Sequence, residues 1–226
     1  MNIVVIVAHP DDEVLGCGGT IARLARDQHE VYIAILGEGV TSRYHKREKA
    51  EKRLIQQLHA RSHEVGRYLS TKEVFLFSLP DNCFDTVPLL DIIKIMEDLV
   101  SRLQPDVIYS HHGGDLNIDH QIVHRAVLTA ARPLKNCPVK EIYAFEVPSS
   151  TEWAFQQFEP VFHPDVFVDI TETLETKVMA MQLYESEVQP FPHPRSPEAI
   201  RAIAERWGSM VGLEAAEAFK LIRAVR

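Results

Sequence analysis

The densest group of reactive side chains in the chain is the run Ala8-His9-Pro10-Asp11-Asp12-Glu13, which joins one imidazole to three carboxylates. It follows the apolar stretch Ile3 to Val7 directly, which places it at the carboxyl end of a predicted strand. Ligand sites in open α/β sheets lie at that end of the strands. A dinucleotide-binding turn would carry a Gly-x-Gly-x-x-Gly pattern here, whereas this turn presents oxygen and nitrogen ligands. The first loop therefore predicts a cation site.

A second polar stretch supplies further candidate ligands. It runs from His111 to His120, with His124 beyond it, and it follows the apolar strand Val107 to Tyr109. Catalytic zinc usually takes three protein ligands and leaves one position open for water. His9, Asp12 and one later histidine satisfy that count. Two imidazoles favour zinc over magnesium, and iron, cobalt or manganese suit the same ligands.

At these residues the chain resembles the PIG-L or LmbE-like family of zinc-dependent deacetylases, which remove the acetyl group from N-acetylglucosamine conjugates. Ala8 to Glu13 matches the first family motif at every position, and Asp119-His120 matches the Asp-His core of the second. Later segments resemble one bacterial subgroup, namely Gly114 to His120, Pro148 to Trp153, His193 to Ser196 and Ala216 to Phe219. The resemblance implies a hydrolase with one Zn²⁺ per chain and a small N-acetyl amino-sugar conjugate as its partner.

The resemblance also implies residue roles. The predicted metal ligands are His9, Asp12 and His120. Asp11 corresponds to the general base that takes a proton from water, and Asp119 joins the catalytic group. Glu13 is expected to stand behind a ligating histidine and fix its tautomer.

Asn117 departs from the family pattern, because many members carry His-Pro-Asp-His at the second motif and this chain has asparagine at the first of those positions. Asparagine donates a hydrogen bond but delivers no proton. Asn117 is therefore predicted to support the developing oxyanion. The general acid is left open among protonated Asp11, which we favour, His124 and His112.

Five further residues are predicted to contact substrate. The resemblance implies contacts to sugar hydroxyls or phosphate from Arg61, in an Arg-x-x-Glu pattern, and from Asp81, after Pro80. A surface ion pair and a simple turn are the alternatives for these two. His112 is expected to line the pocket. A proline-rich loop carries His193 and Arg195, which could close over an anionic conjugate or simply belong to an ordinary loop.

The amino-acid composition limits the classes of protein to which the chain can belong. The 226 residues, 46% of them hydrophobic, suffice for one sizeable core, and the formal net charge of −8 disfavours nucleic acid as a partner. The first apolar run is only one strand long and lacks a basic leader, which predicts neither a signal peptide nor a membrane span. The scattered Cys17, Cys83 and Cys137 exclude a cysteine-rich zinc site and fit a reducing cytoplasm.

The elements that position these residues are predicted from apolar runs alternating with helical patterns. Predicted strands are Ile3–Val7, Val31–Leu36, Val74–Leu79, Val107–Tyr109, Glu141–Phe145 and Val166–Val168. Predicted helices cover roughly Val14–Asp27, Lys46–Leu69 and Leu89–Leu103, with others opening near Asp119 and at Asp169 or Thr171. Such alternation indicates βαβ units and a Rossmann-like three-layer sandwich with a mostly parallel sheet.

We predict a single domain over residues 1–226. Residues 187–226 are expected to form a C-terminal loop and helical extension, with helices near Pro197–Trp207 and Leu213–Val225. These helices, which carry Trp207, Phe219 and Leu221, could cover the sheet or form a homo-oligomer interface.

Three other functions compete with sugar deacetylation. One is a related zinc amidase that removes another acyl group, and the second is a noncatalytic metal-binding or sugar-binding protein. The third, a nucleotide-dependent oxidoreductase, is disfavoured by the missing glycine fingerprint.

Overall fold

A seven-stranded sheet in the order β3-β2-β1-β4-β5-β7-β6 forms the centre of the computed structural model, which describes residues 1–226. The strands are β1 Asn2–Val7, β2 Glu30–Gly37, β3 Glu73–Leu79, β4 Val107–His111, β5 Glu141–Phe145, β6 Val166–Asp169 and β7 Ala216–Ala224. Strands β3, β2, β1, β4 and β5 pair in parallel, and β7 is antiparallel to both of its neighbours. The sheet is mostly parallel, as predicted.

Six helices cover the two faces of the sheet. They are α1 Asp12–Arg26, α2 Lys52–Tyr68, α3 Leu89–Leu103, α4 Ile118–Ala130, α5 Leu174–Leu183 and α6 Pro197–Val211. Alternate residues of β1 point to opposite faces. Val5 packs into a core with α1, α2, α5 and α6, whereas Val4 packs into a second core with α3 and α4. This arrangement confirms the three-layer sandwich. None of the six helices combines the length and the apolar character that crossing a bilayer requires.

The prediction for the C-terminal residues was wrong in one element. Residues 216–224, predicted as helix, form β7, which lies between β5 and β6 within the sheet. The segment is rich in helix-forming Ala, Glu, Lys and Leu, but pairing on both edges overrides that weak preference. The end of the chain is therefore part of the central sheet and not a helical extension of it.

Helix α1 has an internal break, and two side chains distant in sequence form hydrogen bonds with the backbone groups that the break leaves free. Cys17 has nonhelical backbone angles, φ −150° and ψ 26°. The Glu217 carboxylate of β7 accepts hydrogen bonds from the amides of Gly19 (3.0 Å) and Thr20 (2.7 Å), which open the second half of the helix. Lys177 of α5 donates to Glu217 (2.6 Å) and to the Leu15 carbonyl (2.9 Å). The groups freed by the break are thus satisfied from two other elements.

The strand order determines where the loops after β1 and β4 lie. Strand β2 lies on one side of β1 and β4 lies on the other, which makes the gap between β1 and β4 the switch point of the sheet. The loops that leave the carboxyl ends of β1 and β4 meet above this gap.

Candidate metal centre and active site

The three predicted metal ligands converge at this switch point. His9 lies in the loop after β1, Asp12 begins α1, and His120 lies in the first turn of α4. The Asp12 Oδ2 atom is 3.4 Å from His9 Nδ1 and 3.3 Å from His120 Nε2, and all three side chains are buried. One ligand atom from each lies within 4.8 Å of the other two.

His120 shows that this group suits a cation. Both of its ring nitrogens are buried and make no well-directed hydrogen bond, although carboxylate oxygens of Asp12 and Asp115 lie 3.3 and 3.2 Å from them. Burial lowers the pKa of His120, but the carboxylates of Asp12 and Asp115 outweigh that effect and raise it to about 9. The surroundings therefore favour positive charge at this imidazole, and a divalent cation supplies that charge in place of a proton.

Asp119 holds the opposite side of the His9 ring. Its Oδ2 lies 2.9 Å from His9 Nε2, and its Oδ1 accepts a hydrogen bond from the Phe84 amide, also at 2.9 Å. A carboxylate on one imidazole nitrogen fixes the tautomer that leaves the other nitrogen free to bind metal. Asp119 thus occupies the position behind His9 that the sequence analysis gave to Glu13.

A second possible ligand group combines His9 with Asp81 and Asp119. Its atoms already have partners, since Asp81 Oδ2 accepts from the amide (3.0 Å) and hydroxyl (2.6 Å) of Ser42, and Asp119 binds as just described. The unsatisfied nitrogens belong to His120, which favours the group of His9, Asp12 and His120.

Two buried residues support His120. The His111 ring stacks on it with centroids 3.9 Å apart and an interplanar angle of 7°. Asp115 Oδ1 lies 3.2 Å from His120 Nδ1. The pKa of Asp115 is about 2 because, although burial raises it, the charge of His120 and several hydrogen bonds lower it further. The hydroxyls of Ser150 and Thr151 donate two of these hydrogen bonds, and the Asn117 amide also donates to Asp115 at 2.8 Å.

Asp11 occupies a strained turn between the strand and the helix. Its φ of 99° lies in the left-handed region, which is rare for a residue other than glycine. The Glu13 carboxylate accepts from the Asp11 amide (3.2 Å) and from the Tyr184 hydroxyl (2.6 Å). Burial raises the pKa of Glu13 to about 7, although these hydrogen bonds counteract it. Glu13 therefore supports the backbone of Asp11 and contacts neither ligating imidazole, which corrects the expectation for this residue.

The Asp11 side chain is paired with an arginine from the far end of the chain. Arg195 donates to Asp11 Oδ2 (2.8 Å) and to the Ser149 hydroxyl (2.8 Å), and it lies 3.3 Å from Glu187. Glu187 in turn accepts two hydrogen bonds from Arg43, at 2.7 and 2.8 Å. An alternating chain of two carboxylates and two guanidiniums therefore crosses one wall of the site.

Asn117 caps helix α4. Its Oδ1 accepts from the Asp119 amide at 2.9 Å, as an N-cap residue does, and its Nδ2 donates to Asn82 at 2.8 Å. The side chain fixes the turn of α4 that carries both Asp119 and His120.

These groups line a cavity of about 190 Å³ whose lining is mostly polar. Seven predicted residues reach it, namely His9, Asp11, Asp12, Asp81, Asn117, His120 and Arg195, and Asp119 lies directly behind His9. The lining also includes Ser42, Arg43, Ser149 and Glu187, which the sequence analysis did not select. Ser149 belongs to a segment quoted for the family resemblance. Arg43 and Glu187 carry no local signal, because they meet only through the fold.

The remaining predicted residues lie outside this cavity. The His112 ring contacts the Pro160 carbonyl (2.5 Å), and His124 contacts the His111 carbonyl (2.9 Å). His193 accepts from the Arg195 amide at 3.1 Å and packs edge-on against Trp153. On helix α2, Arg61 pairs with Glu64 and with Glu185. The two alternative general acids, His112 and His124, therefore do not line the cavity that contains the candidate metal ligands.

Comparisons with known proteins identify relatives of this chain. The chain is 29% identical over 201 residues to the uncharacterized deacetylase YaiS of Escherichia coli K12, covering 82% of this chain and 91% of that protein. The N,N'-diacetylchitobiose deacetylase from Pyrococcus horikoshii has the same fold, with a TM-score of 0.77, 20% identity and coverage of 98% of this chain and 84% of that one.

A protein with a different activity has the same fold. GalB, the 4-carboxy-2-hydroxymuconate hydratase from Pseudomonas putida KT2440, superposes with a TM-score of 0.79 at 21% identity, covering 100% of this chain and 97% of that one. The sequence itself matches the family model described as PIG-L, GlcNAc-PI de-N-acetylase, over residues 4–131, a range that contains the three candidate ligands and Asp11. The chain belongs to the PIG-L family of de-N-acetylases.

Proposed function

We propose that this protein is a zinc-dependent hydrolase that removes the acetyl group from an N-acetylated amino-sugar conjugate in the cytoplasm. The observation that carries the proposal is the buried group of His9, Asp12 and His120, in which neither nitrogen of His120 makes a well-directed hydrogen bond, beside the carboxylate of Asp11. Two imidazoles and one carboxylate are a ligand set typical of catalytic zinc. The three unpaired cysteines suit a reducing compartment.

The reaction needs an activated water and a stabilised oxyanion. When bound by His9, Asp12 and His120, zinc supplies both, because it lowers the pKa of a coordinated water to about 7 and polarises the amide carbonyl. Asp11 takes the proton of the attacking water through Oδ1, which makes none of the hydrogen bonds within the protein. It then returns that proton to the amine that leaves. No other predicted proton donor lines the cavity, which supports giving both transfers to Asp11.

The remaining polar groups orient these residues and the sugar. Arg195 holds Asp11 Oδ2 and so directs Oδ1 toward the cavity. Asp81 presents a carboxylate suited to sugar hydroxyls. Asn117 has one hydrogen on Nδ2 that is not committed to Asn82 and can donate it to the developing oxyanion.

Acetate release from a panel of N-acetylated sugars tests the proposal. We expect release by the zinc-loaded enzyme and none after a chelator has removed the metal. Asp11→Asn should retain one metal per chain while kcat falls by about two to four orders of magnitude, the usual range for general acid–base catalysis. The surface variant Asp27→Asn should behave as the parent enzyme.

Three outcomes would contradict this assignment. Unchanged activity in metal-free protein would remove the metal from the reaction. Loss of metal in Asp11→Asn would place Asp11 among the ligands. No acetate from any sugar of the panel, together with addition of water to an unsaturated acid as catalysed by GalB, would replace sugar deacetylation with another reaction on the same site.

A further inference from the structure

A second cavity, of about 600 Å³, lies beside the catalytic cavity along helix α2. Its apolar lining comes from both walls and consists of Val40, Tyr44, Leu54, Leu58 and Ala60. We call it the α2 groove. Leu54 leaves 37% of its surface exposed there, although it follows the same helix face as the buried Leu58. An exposed leucine beside an open cavity is apolar surface that a ligand can cover.

The α2 groove continues directly from the catalytic cavity. Arg43 lines both. On one side of the boundary the chain passes from Gly39 in the catalytic cavity to Val40 in the groove, and on the other from Glu187 to Ser186. A molecule held in the catalytic cavity therefore has the groove as its neighbouring space.

The two cavities differ in chemistry and in size. The catalytic cavity is mostly polar and, at about 190 Å³, is of the order of one sugar ring. The groove is about three times larger and nearly half of its lining residues are hydrophobic. Such a pair of spaces fits a molecule with one polar end and one apolar end.

The charges in the groove are already balanced. Arg61 pairs with Glu64 (2.7 Å) and Glu185 (2.8 Å), and Arg43 pairs with Glu187. An anionic group in the groove would have to compete with these carboxylates for both guanidiniums. The pairing therefore disfavours a phosphate and favours an uncharged occupant.

We propose that the α2 groove binds the group conjugated to the amino sugar, and that this group is an uncharged aromatic or aliphatic aglycone. The inference rests on the proposed deacetylation, because it assigns the groove to the part of the same substrate that lies outside the catalytic cavity. It departs from the phosphate contact that the sequence pattern around Arg61 suggests.

The test compares three N-acetylglucosamine derivatives in the zinc-loaded enzyme: the free sugar, its 1-phosphate and its uncharged 4-methylumbelliferyl glycoside. We expect kcat/KM for the aryl glycoside to exceed that for the free sugar by about ten-fold or more, because the groove removes the ring from water. The 1-phosphate should show no advantage over the free sugar.

Two adjacent glutamines of α2 provide a matched pair of variants. Gln57 lines the groove, whereas Gln56 is exposed on the same helix and does not line it. Gln57→Trp should fill the groove and abolish most of the preference for the aryl glycoside over the free sugar. Gln56→Trp should retain the full preference. Calorimetric binding of the deacetylated aryl glucosaminide to each variant should show the same contrast without turnover.

The possible outcomes test the groove assignment separately from the proposed deacetylation. Acetate release with equal kcat/KM for the free sugar and the aryl glycoside, or equal effects of Gln57→Trp and Gln56→Trp, would overturn the groove assignment and leave deacetylation standing. A preference for the 1-phosphate would overturn the uncharged aglycone. Absence of acetate from every derivative would overturn the proposed function and this inference with it.

Discussion

The contacts of Arg195 in the structure indicate a different role from the one that its sequence context suggests. Its position in a proline-rich loop suggests closure over an anionic substrate, but its guanidinium is committed to Asp11, Ser149 and Glu187. It lies at the wall of the cavity and fixes the carboxylate that acts as base in our proposal. The contact between Arg195 and Asp11 could not be predicted from motif spacing, because the two residues are 184 positions apart in the sequence.

Kinetics of Arg195 variants distinguish positioning from substrate binding. We expect Arg195→Ala to lower kcat by about ten- to a hundred-fold, the usual effect of losing a partner behind a catalytic group, with little change in KM. Arg195→Lys should recover part of the loss. The control is Arg201→Ala, which removes an exposed guanidinium paired with Glu175. A rise in KM at constant kcat would return Arg195 to substrate binding.

The buried carboxyl of Glu146, which directly follows β5, should make the stability of the protein depend on pH. Burial raises its pKa, although the hydrogen bond from the Trp207 indole counteracts the shift. A carboxyl whose pKa is raised in the folded state contributes fully to stability below its unfolded pKa of about 4.3, and that contribution is lost as pH rises through the folded value.

Glu146→Gln keeps an oxygen for the Trp207 indole and carries no charge. We therefore expect this variant to melt at a higher temperature than the parent at pH 8, with the difference vanishing near pH 4. Thermal melts across this range measure it. An equal difference at both pH values would show that ionisation of Glu146 does not determine the effect.

At the scale of elements, prediction from sequence succeeded where a segment buries one continuous apolar run. Helix α3 and strand β5 have the predicted limits, and β1 to β4 agree within two residues. The three predicted metal ligands lie together in the structure, and two of them, His9 and Asp12, belong to one short motif. Strand β7 was not, since its residues favour a helix locally and only β5 and β6 on either side make them a strand.

The break in α1 depends on a buried ion pair between other elements. Lys177→Met would leave the Glu217 carboxylate buried without its cation and the Leu15 carbonyl without its donor. We expect a loss of about 3–5 kcal/mol in the free energy of unfolding, measured by denaturant titration.

The double variant Lys177→Met with Glu217→Gln should lose less stability than Lys177→Met alone, because no unpaired charge stays buried. Lys220→Met, which removes an exposed cation paired with Asp165, should change the free energy of unfolding by less than about 1 kcal/mol. A double variant less stable than the single one would show that the Glu217 carboxylate itself holds the break.

For the whole molecule, a metal bound by the proposed ligands would link the two halves of the sheet, because these residues lie in the segments that follow β1 and β4. A ligand that binds only the folded state stabilises it by about 2.7 kcal/mol at a hundred times its Kd. Chelation should therefore lower the melting temperature of the protein by about 5–10 °C.

The variant His120→Ala tests this link. It should bind little metal and melt at the same temperature with and without the chelator. A chelator effect that persists in His120→Ala would mean that the stabilising metal binds elsewhere.

The position of β7 also determines when the molecule can finish folding during synthesis. Strands β5 and β6 leave the ribosome before β7, yet β7 must enter between them. Until then both present an open backbone edge, which is the usual template for pairing with other chains. The nascent protein is therefore most prone to aggregate in the interval between translation of β6 and of β7, and insertion of β7 covers the edge of β5 and joins β6 to the sheet.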